Sequence, residues 1–84
     1  MNTRLRRTLE AVFRHPTVPD LPFRDIEALV TGLGGDVQER AGSRVRMRLH
    51  GVTWRCHRPH PGQEARRYQV EEAREFLTRA GVTP

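Results

Sequence analysis

The chain has 84 residues, of which 36% are hydrophobic and 30% charged, and it carries a formal net charge of +5. That length fits one small domain and that composition fits a folded one, which excludes two domains and wholesale disorder. The chain has one cysteine, no secretory pattern at its N-terminus and no apolar run near the roughly 20 residues that cross a bilayer, so we expect a cytoplasmic protein with no membrane association.

Two helices are predicted in the first part of the chain. The first covers residues 3–14 and ends at His15-Pro16, and the second covers residues 23–33 and ends at Gly34-Gly35. Each has apolar side chains at helical spacing, namely Leu5, Leu9, Val12 and Phe13 in the first and Ile26, Leu29, Val30 and Leu33 in the second.

The hydrophobic period then changes to two, which is typical of strands with one buried face. Two strands are predicted on either side of a tight turn at His50-Gly51, and residues 36–41 are predicted as an earlier strand that turns at Gly42-Ser43. The inward side chains of the two clear strands are Val45, Met47, Leu49, Val52, Trp54 and Cys56. The three strands are expected to form an antiparallel meander, with Trp54 in the core.

A last helix is predicted over residues 69–80, after the polar loop PHPGQEARR, and Gly81 closes it. The order of elements is therefore helix, helix, three strands, helix. This order predicts an α+β fold in which helices cover one face of a three-stranded antiparallel sheet.

Arginine supplies all 15 basic residues. Guanidinium groups bind phosphate bidentately and stack on bases, which favours a nucleic-acid partner, although a GC-rich genome also favours arginine codons. The strand pattern predicts that one set of basic side chains points away from the apolar face, namely Arg44, Arg46, Arg48, His50, Arg55 and His57. Such a face attracts phosphate or an acidic protein, and the alternative is an ordinary solvated sheet face.

The segment CHRPHP, from Cys56 to Pro61, adds two histidines beside an arginine. Histidine exchanges protons near neutral pH, so it can act on RNA, where a base takes the 2′-hydroxyl proton and cations stabilise the phosphate. A structural histidine in the loop is the alternative. Neighbouring strand residues point to opposite faces and no second cysteine completes a zinc site, so we expect no metal and no cofactor.

Taken in order, these elements resemble the HicA toxins of bacterial toxin–antitoxin pairs. The matching pieces are DIEALVTGLGG, AGSRVRMRL, RPHPGQE and REFLTRAGV. They span residues 22–82 of a single domain, 1–84, and leave residues 1–15 as a helical extension. The resemblance implies a double-stranded-RNA-binding-like fold, ribosome-independent cleavage of messenger RNA without metal or small-molecule cofactor, and neutralisation by a HicB-type antitoxin.

The chain departs from the resemblance at one position. HicA toxins carry a histidine just after Gly-Ser on the second strand as their central residue, whereas this chain has Arg44. A guanidinium stays protonated and cannot be a general base, but it can bind the scissile phosphate. Three alternatives stay open: another histidine transfers protons, with His60 ahead of His57 and His50; the protein binds RNA without cutting it; or it acts only through its partner.

The predicted site has a catalytic part and an RNA-binding part. Ser43 is included as a phosphate donor at a turn, and Tyr68 as the residue at the edge of the basic loop that stacks on a base. The catalytic residues are His60, Arg44 and Ser43, and the RNA-binding residues are Arg44, Arg46, Arg48, Arg55, His57, Arg58 and Tyr68.

Overall fold

A computed structural model describes all 84 residues and has three helices and three strands in the predicted order. The helices are α1 (Thr3–Val12), α2 (Phe23–Gly32) and α3 (Arg67–Arg79), and the strands are β1 (Asp36–Glu39), β2 (Arg44–Leu49) and β3 (Val52–His57). Helix α2 packs on β1 and β2, α3 packs on β3, and α1 packs on α2 and α3. The predicted α+β class is therefore confirmed.

The sheet is an antiparallel meander with β2 in the centre. Strands β2 and β3 are joined by a two-residue loop in which His50 has φ 50° and Gly51 has φ 81°. Two left-handed residues give the turn a twist that matches the right-handed twist of the flanking strands. The pairing register then places Met47 beside Val37 on one side and beside Trp54 on the other, so the apolar side chains of the three strands share one face.

The core lies between this apolar face and the helices and contains 18 buried hydrophobic residues. Trp54 is only 7% exposed and packs between the rings of Phe23 and Phe76, with centroid distances of 6.3 and 5.7 Å. Its indole N–H donates to Glu72 Oε1 at 3.0 Å, which satisfies the one polar atom of the ring. The expectation that Trp54 belongs to the core is confirmed.

Side chains at the helix ends explain where α1 and α3 begin. Asn2 caps α1, because its Oδ1 accepts from the Leu5 N–H at 2.8 Å. Gln69, which is 1% exposed, accepts from the Arg66 N–H through its Oε1 at 2.9 Å, and α3 therefore begins two residues earlier than predicted. None of the three helices has the length and apolar composition that crossing a membrane requires.

Candidate functional site

The side of the sheet that faces away from the helices carries a row of basic side chains. Buried and exposed residues alternate along β2, so Val45, Met47 and Leu49 face the helices. The basic residues that share the opposite face, here called the open face, are Arg44, Arg46 and Arg48 of β2 and Arg55 and His57 of β3. The predicted face is thus present, with one correction at its far end.

His50 does not belong to the open face. It lies in the turn after β2, and its Nδ1 donates to the carbonyl oxygen of Ala80, where α3 ends, at 2.8 Å. A ring nitrogen at this position satisfies one of the carbonyl groups that a helix leaves unpaired at its C-terminus. His50 is therefore a structural residue, and the expectation that it points away from the apolar side was wrong.

Basic residues stand directly opposite one another across β2 and β3. The register pairs Arg44 with His57 and Arg46 with Arg55. The like charges of Arg46 and Arg55 repel, so this pair costs stability unless an anion lies nearby. The hydrogen-bond partners of the guanidinium groups are neutral: Arg46 Nη2 donates to Gln38 Oε1 at 2.7 Å, and Arg44 donates from Nε to a backbone carbonyl at 3.1 Å.

A cleft of about 390 Å³ opens at the end of the sheet where β2 begins and β3 finishes. Its lining consists of Arg40, Arg44, Val45, Arg46, Arg55, Cys56 and His57. Four guanidinium groups and one imidazole therefore surround the cleft, and no carboxylate is among its lining residues. This arrangement suits a polyanion that carries several phosphates.

The two histidines of the CHRPHP segment have different positions. His57 is the last residue of β3, is exposed and lines the cleft. His60 is exposed in the following loop, where its carbonyl oxygen accepts from Arg66 Nη2 at 2.9 Å, and it is not among the residues that line the cleft. The structure thus places His57, and not His60, in the cleft that the arginines line.

Arg58 lies on the other side of the sheet end. Its guanidinium forms ion pairs with Glu27 of α2, at 2.7 Å, and with Glu39 of β1. Burial lowers the pKa of Arg58, but the hydrogen bonds and charges of the two carboxylates outweigh that effect and raise the pKa above its ordinary value. The charge of Arg58 is therefore neutralised within the protein.

Ser43 and Tyr68 are also outside the cleft. Ser43 is exposed in the turn before β2, where its carbonyl oxygen accepts from the Arg58 N–H at 2.8 Å. Tyr68 lies in the first turn of α3 and is 56% exposed. Neither lines the cleft. Of the nine site residues predicted from the sequence, the cleft brings together Arg44, Arg46, Arg55 and His57.

Cys56 forms part of the cleft wall but is only 8% exposed. Burial first, and then the charges of Glu72 and Glu27, raise the pKa of its thiol to about 12 against the opposing charge of Arg58. A thiol with this pKa stays protonated at neutral pH and is a poor nucleophile.

Sequence reasoning did not identify Arg40 and Gln69 as part of the site. The Arg40 N–H donates to the Arg44 carbonyl oxygen at 2.8 Å, which continues the β1–β2 pairing and brings Arg40 beside the cleft. Gln69 donates from Nε2 to the His57 carbonyl oxygen at 2.7 Å. The alternation of side-chain direction along residues 36–41 could have indicated that Arg40 lies near the site. No local pattern in the sequence indicates that Gln69 reaches β3.

Residues 23–82 match the family model described as the HicA toxin of bacterial toxin–antitoxin. The matched region begins at α2 and contains the whole sheet and α3, so α1 lies outside it. No curated protein and no solved structure matches the chain.

Proposed function

The chain belongs to the HicA family of toxins from bacterial toxin–antitoxin pairs, and from this premise we propose that it is an RNA endonuclease that binds messenger RNA on its open face. RNA binding is supported above all by the pairing of Arg46 with Arg55 beside a cleft that no carboxylate lines. Two like charges held opposite each other are relieved when phosphate lies between them.

The spacing of the arginines favours an extended strand of RNA. Arg44, Arg46 and Arg48 recur at every second residue of β2, so their backbones are about 7 Å apart along the strand. A row of guanidinium groups at this spacing can contact successive phosphates of one strand, which fixes its direction across the sheet without reading its sequence. At the far end Arg48 pairs in register with Asp36 of β1, so the positive field is greatest at the cleft.

Arg44 has the position at which HicA toxins carry their central histidine. In this chain its guanidinium would bind the scissile phosphate and stabilise the negative charge that develops during cleavage. RNA supplies its own nucleophile, the 2′-hydroxyl, so the protein has to provide cations and a group that takes a proton. The neighbouring cations Arg40, Arg46 and Arg55 would share the first task.

A toxin of this family has an antitoxin as its partner, and we expect one of the HicB type. Acidic side chains of such a partner would compete with RNA for the open face, since both are negatively charged and the face is positively charged. Messenger RNA is a cytoplasmic target, and the toxin would act there during stress, when the antitoxin is depleted.

The test is to induce the protein alone in cells and to map transcript ends. Growth arrest with new ends is expected from the wild-type chain and not from the double variant Arg46→Ala/Arg55→Ala. The double variant Arg6→Ala/Arg7→Ala removes the same charge from exposed positions of α1 and should behave as the wild type does.

A second candidate function is RNA binding without cleavage, which the presence of Arg44 at the position of the family's histidine favours. Arrest without new ends, together with retention of RNA by the purified protein at moderate salt, would support this function and contradict cleavage. A protein that neither arrests growth nor retains RNA would contradict both.

A further inference from the structure

We propose that His57 is the general base of RNA cleavage in this protein and that it acts on a phosphate held by Arg44, its neighbour across the sheet. The inference rests on the proposed function, because it names the proton acceptor that an RNA endonuclease with this cleft would need.

The first support is the position of His57 relative to Arg44. The two residues are register partners in β2 and β3, both point to the open face, and both line the cleft. Side chains paired in this way have Cβ atoms about 5 Å apart, so an imidazole and a guanidinium can reach the same nucleotide. A base beside the arginine that holds the phosphate is the geometry that removal of a 2′-hydroxyl proton requires.

The second support is that the other three histidines are elsewhere. The ring of His50 is hydrogen-bonded to the end of α3. His15 follows α1 in the helical layer, and His60 lies in the loop after β3 without lining the cleft. His57 is thus the histidine that shares a cavity with the arginine cluster.

The third support is how firmly the backbone of His57 is held. The buried amide of Gln69 donates to its carbonyl oxygen, and the next residue, Arg58, is held by Glu27 of α2 and Glu39 of β1. The Arg58 N–H also donates to the Ser43 carbonyl oxygen at 2.8 Å, which continues the sheet by one pair beyond His57. A side chain on such a fixed backbone is positioned before substrate arrives, which lowers the entropic cost of the reaction.

The step that this arrangement supports is an internal transesterification. The 2′-oxygen of the nucleotide attacks the adjacent phosphorus, its proton moves to an imidazole nitrogen of His57, and the bond from phosphorus to the 5′-oxygen breaks. The departing 5′-oxygen takes a proton from water, and the imidazolium later releases its proton to solvent. The products are a 2′,3′-cyclic phosphate and a 5′-hydroxyl, and Arg44 stabilises the phosphate charge throughout.

The test compares purified wild-type protein with His57→Gln on a single-stranded RNA, by cleavage rate and by binding affinity. We expect His57→Gln to lower the rate at least about 100-fold, as loss of a general base does, while RNA affinity changes by less than about threefold, since the arginines remain. His60→Gln tests the competing assignment and His15→Gln is the matched control, and circular dichroism verifies the fold of each variant.

Three outcomes separate the inference from the function on which it rests. A wild-type protein that does not cut RNA overturns the proposed cleavage and the role of His57 together. A wild-type protein that cuts RNA, with a His57→Gln variant that cuts it equally well, overturns the role of His57 alone. Products that carry a 3′-hydroxyl and a 5′-phosphate, or cleavage that persists when the 2′-hydroxyl at the cut site is replaced by hydrogen, also contradict the step.

Discussion

At the scale of single residues, neighbours in β3 differ in exposure because successive side chains of a strand point to opposite faces of the sheet. Cys56 points towards the helices and is buried, whereas His57 points to the open face and meets solvent. Burial keeps the Cys56 thiol protonated, whereas the side chain of His57 is accessible from solvent. The same cleft wall thus holds one buried and one accessible side chain.

The raised pKa of Cys56 predicts a pH dependence of stability. In the unfolded chain the thiol ionises near its ordinary pKa of 9.0, whereas in the folded protein the pKa is about 12. The contribution of the thiol to the free energy of unfolding is therefore full below pH 9 and is lost as the pH rises towards 12. Urea denaturation between pH 8 and pH 11 should show a shallower decline for Cys56→Ala than for the wild type, and parallel declines would contradict the prediction.

At the scale of elements, α1 packs on α2 and α3 through Leu9 and Val12, and one arginine of α3 adds hydrogen bonds to its C-terminal end. Arg74 donates from Nε to the Val12 carbonyl oxygen at 2.9 Å, and from Nη2 to the Arg14 carbonyl at 3.3 Å and to Thr17 Oγ1 at 3.2 Å. A cation at this end of α1 satisfies carbonyl groups that the helix leaves unpaired and complements its dipole. These hydrogen bonds and the burial of Leu9 and Val12 together join a helix outside the family match to the shared core.

Removing this attachment should loosen α1 more than the rest of the fold. In Arg74→Ala we expect amide exchange in α1 to rise at least about tenfold, which corresponds to about 1.4 kcal/mol of lost protection. Exchange in β2 should change little, because the side-chain hydrogen bonds of Arg74 go to Val12, Arg14 and Thr17 and not to the sheet. Arg67→Ala, a matched change at an exposed position of α3, should leave α1 protected, and uniform loss of protection in Arg74→Ala would refute a local role.

The sheet itself should be more stable without one of its paired arginines. Replacing Arg55 by threonine removes the repulsion opposite Arg46 and provides a residue that strands favour. We expect Arg55→Thr to raise the free energy of unfolding by about 0.5 kcal/mol at low salt, with a smaller gain at 1 M salt because ions screen the pair. Denaturation at both salt concentrations checks this, and a loss of stability at low salt would indicate that Arg55 makes a contact the sheet needs.

At the scale of the whole molecule, the net charge of +5 is unevenly distributed. The cleft is lined by four arginines, while acidic side chains such as Glu27 and Glu39 are paired with Arg58 on the helical side. An anion that approaches the protein is therefore attracted to one end of the open face.

This distribution predicts how salt affects RNA binding. In a plot of log affinity against log salt concentration, each phosphate contact to a single strand contributes about 0.7 to the slope. Arg46 and Arg55 flank one phosphate, so Arg46→Ala/Arg55→Ala should reduce the slope by at least about 0.7. Arg6→Ala/Arg7→Ala should leave the slope near the wild-type value. Fluorescence anisotropy with a labelled RNA measures both, and equal losses from the two variants would show that net charge, and not the open face, governs binding.

Local patterns in the sequence determined the order of the elements, their bounds to within two residues and the face on which each strand side chain lies. These properties follow from periods of 3.6 and 2 residues, from turn residues and from helix-ending glycines, all of which act between near neighbours along the chain. The basic character of the open face was predictable for the same reason, since it needs only the alternation that begins at Arg44.

Tertiary structure decided which partners several of these side chains have. Contacts between residues far apart in the chain bind His50 to Ala80 and hold Arg58 between two carboxylates. No period in the sequence encodes such contacts, because they depend on how α2 and α3 pack on the sheet. The sequence thus determined a basic sheet face and, through its two-residue turn, the register that pairs His57 with Arg44. Only the packing of the helices decided the partners of His50 and Arg58, because those contacts join elements far apart in the chain.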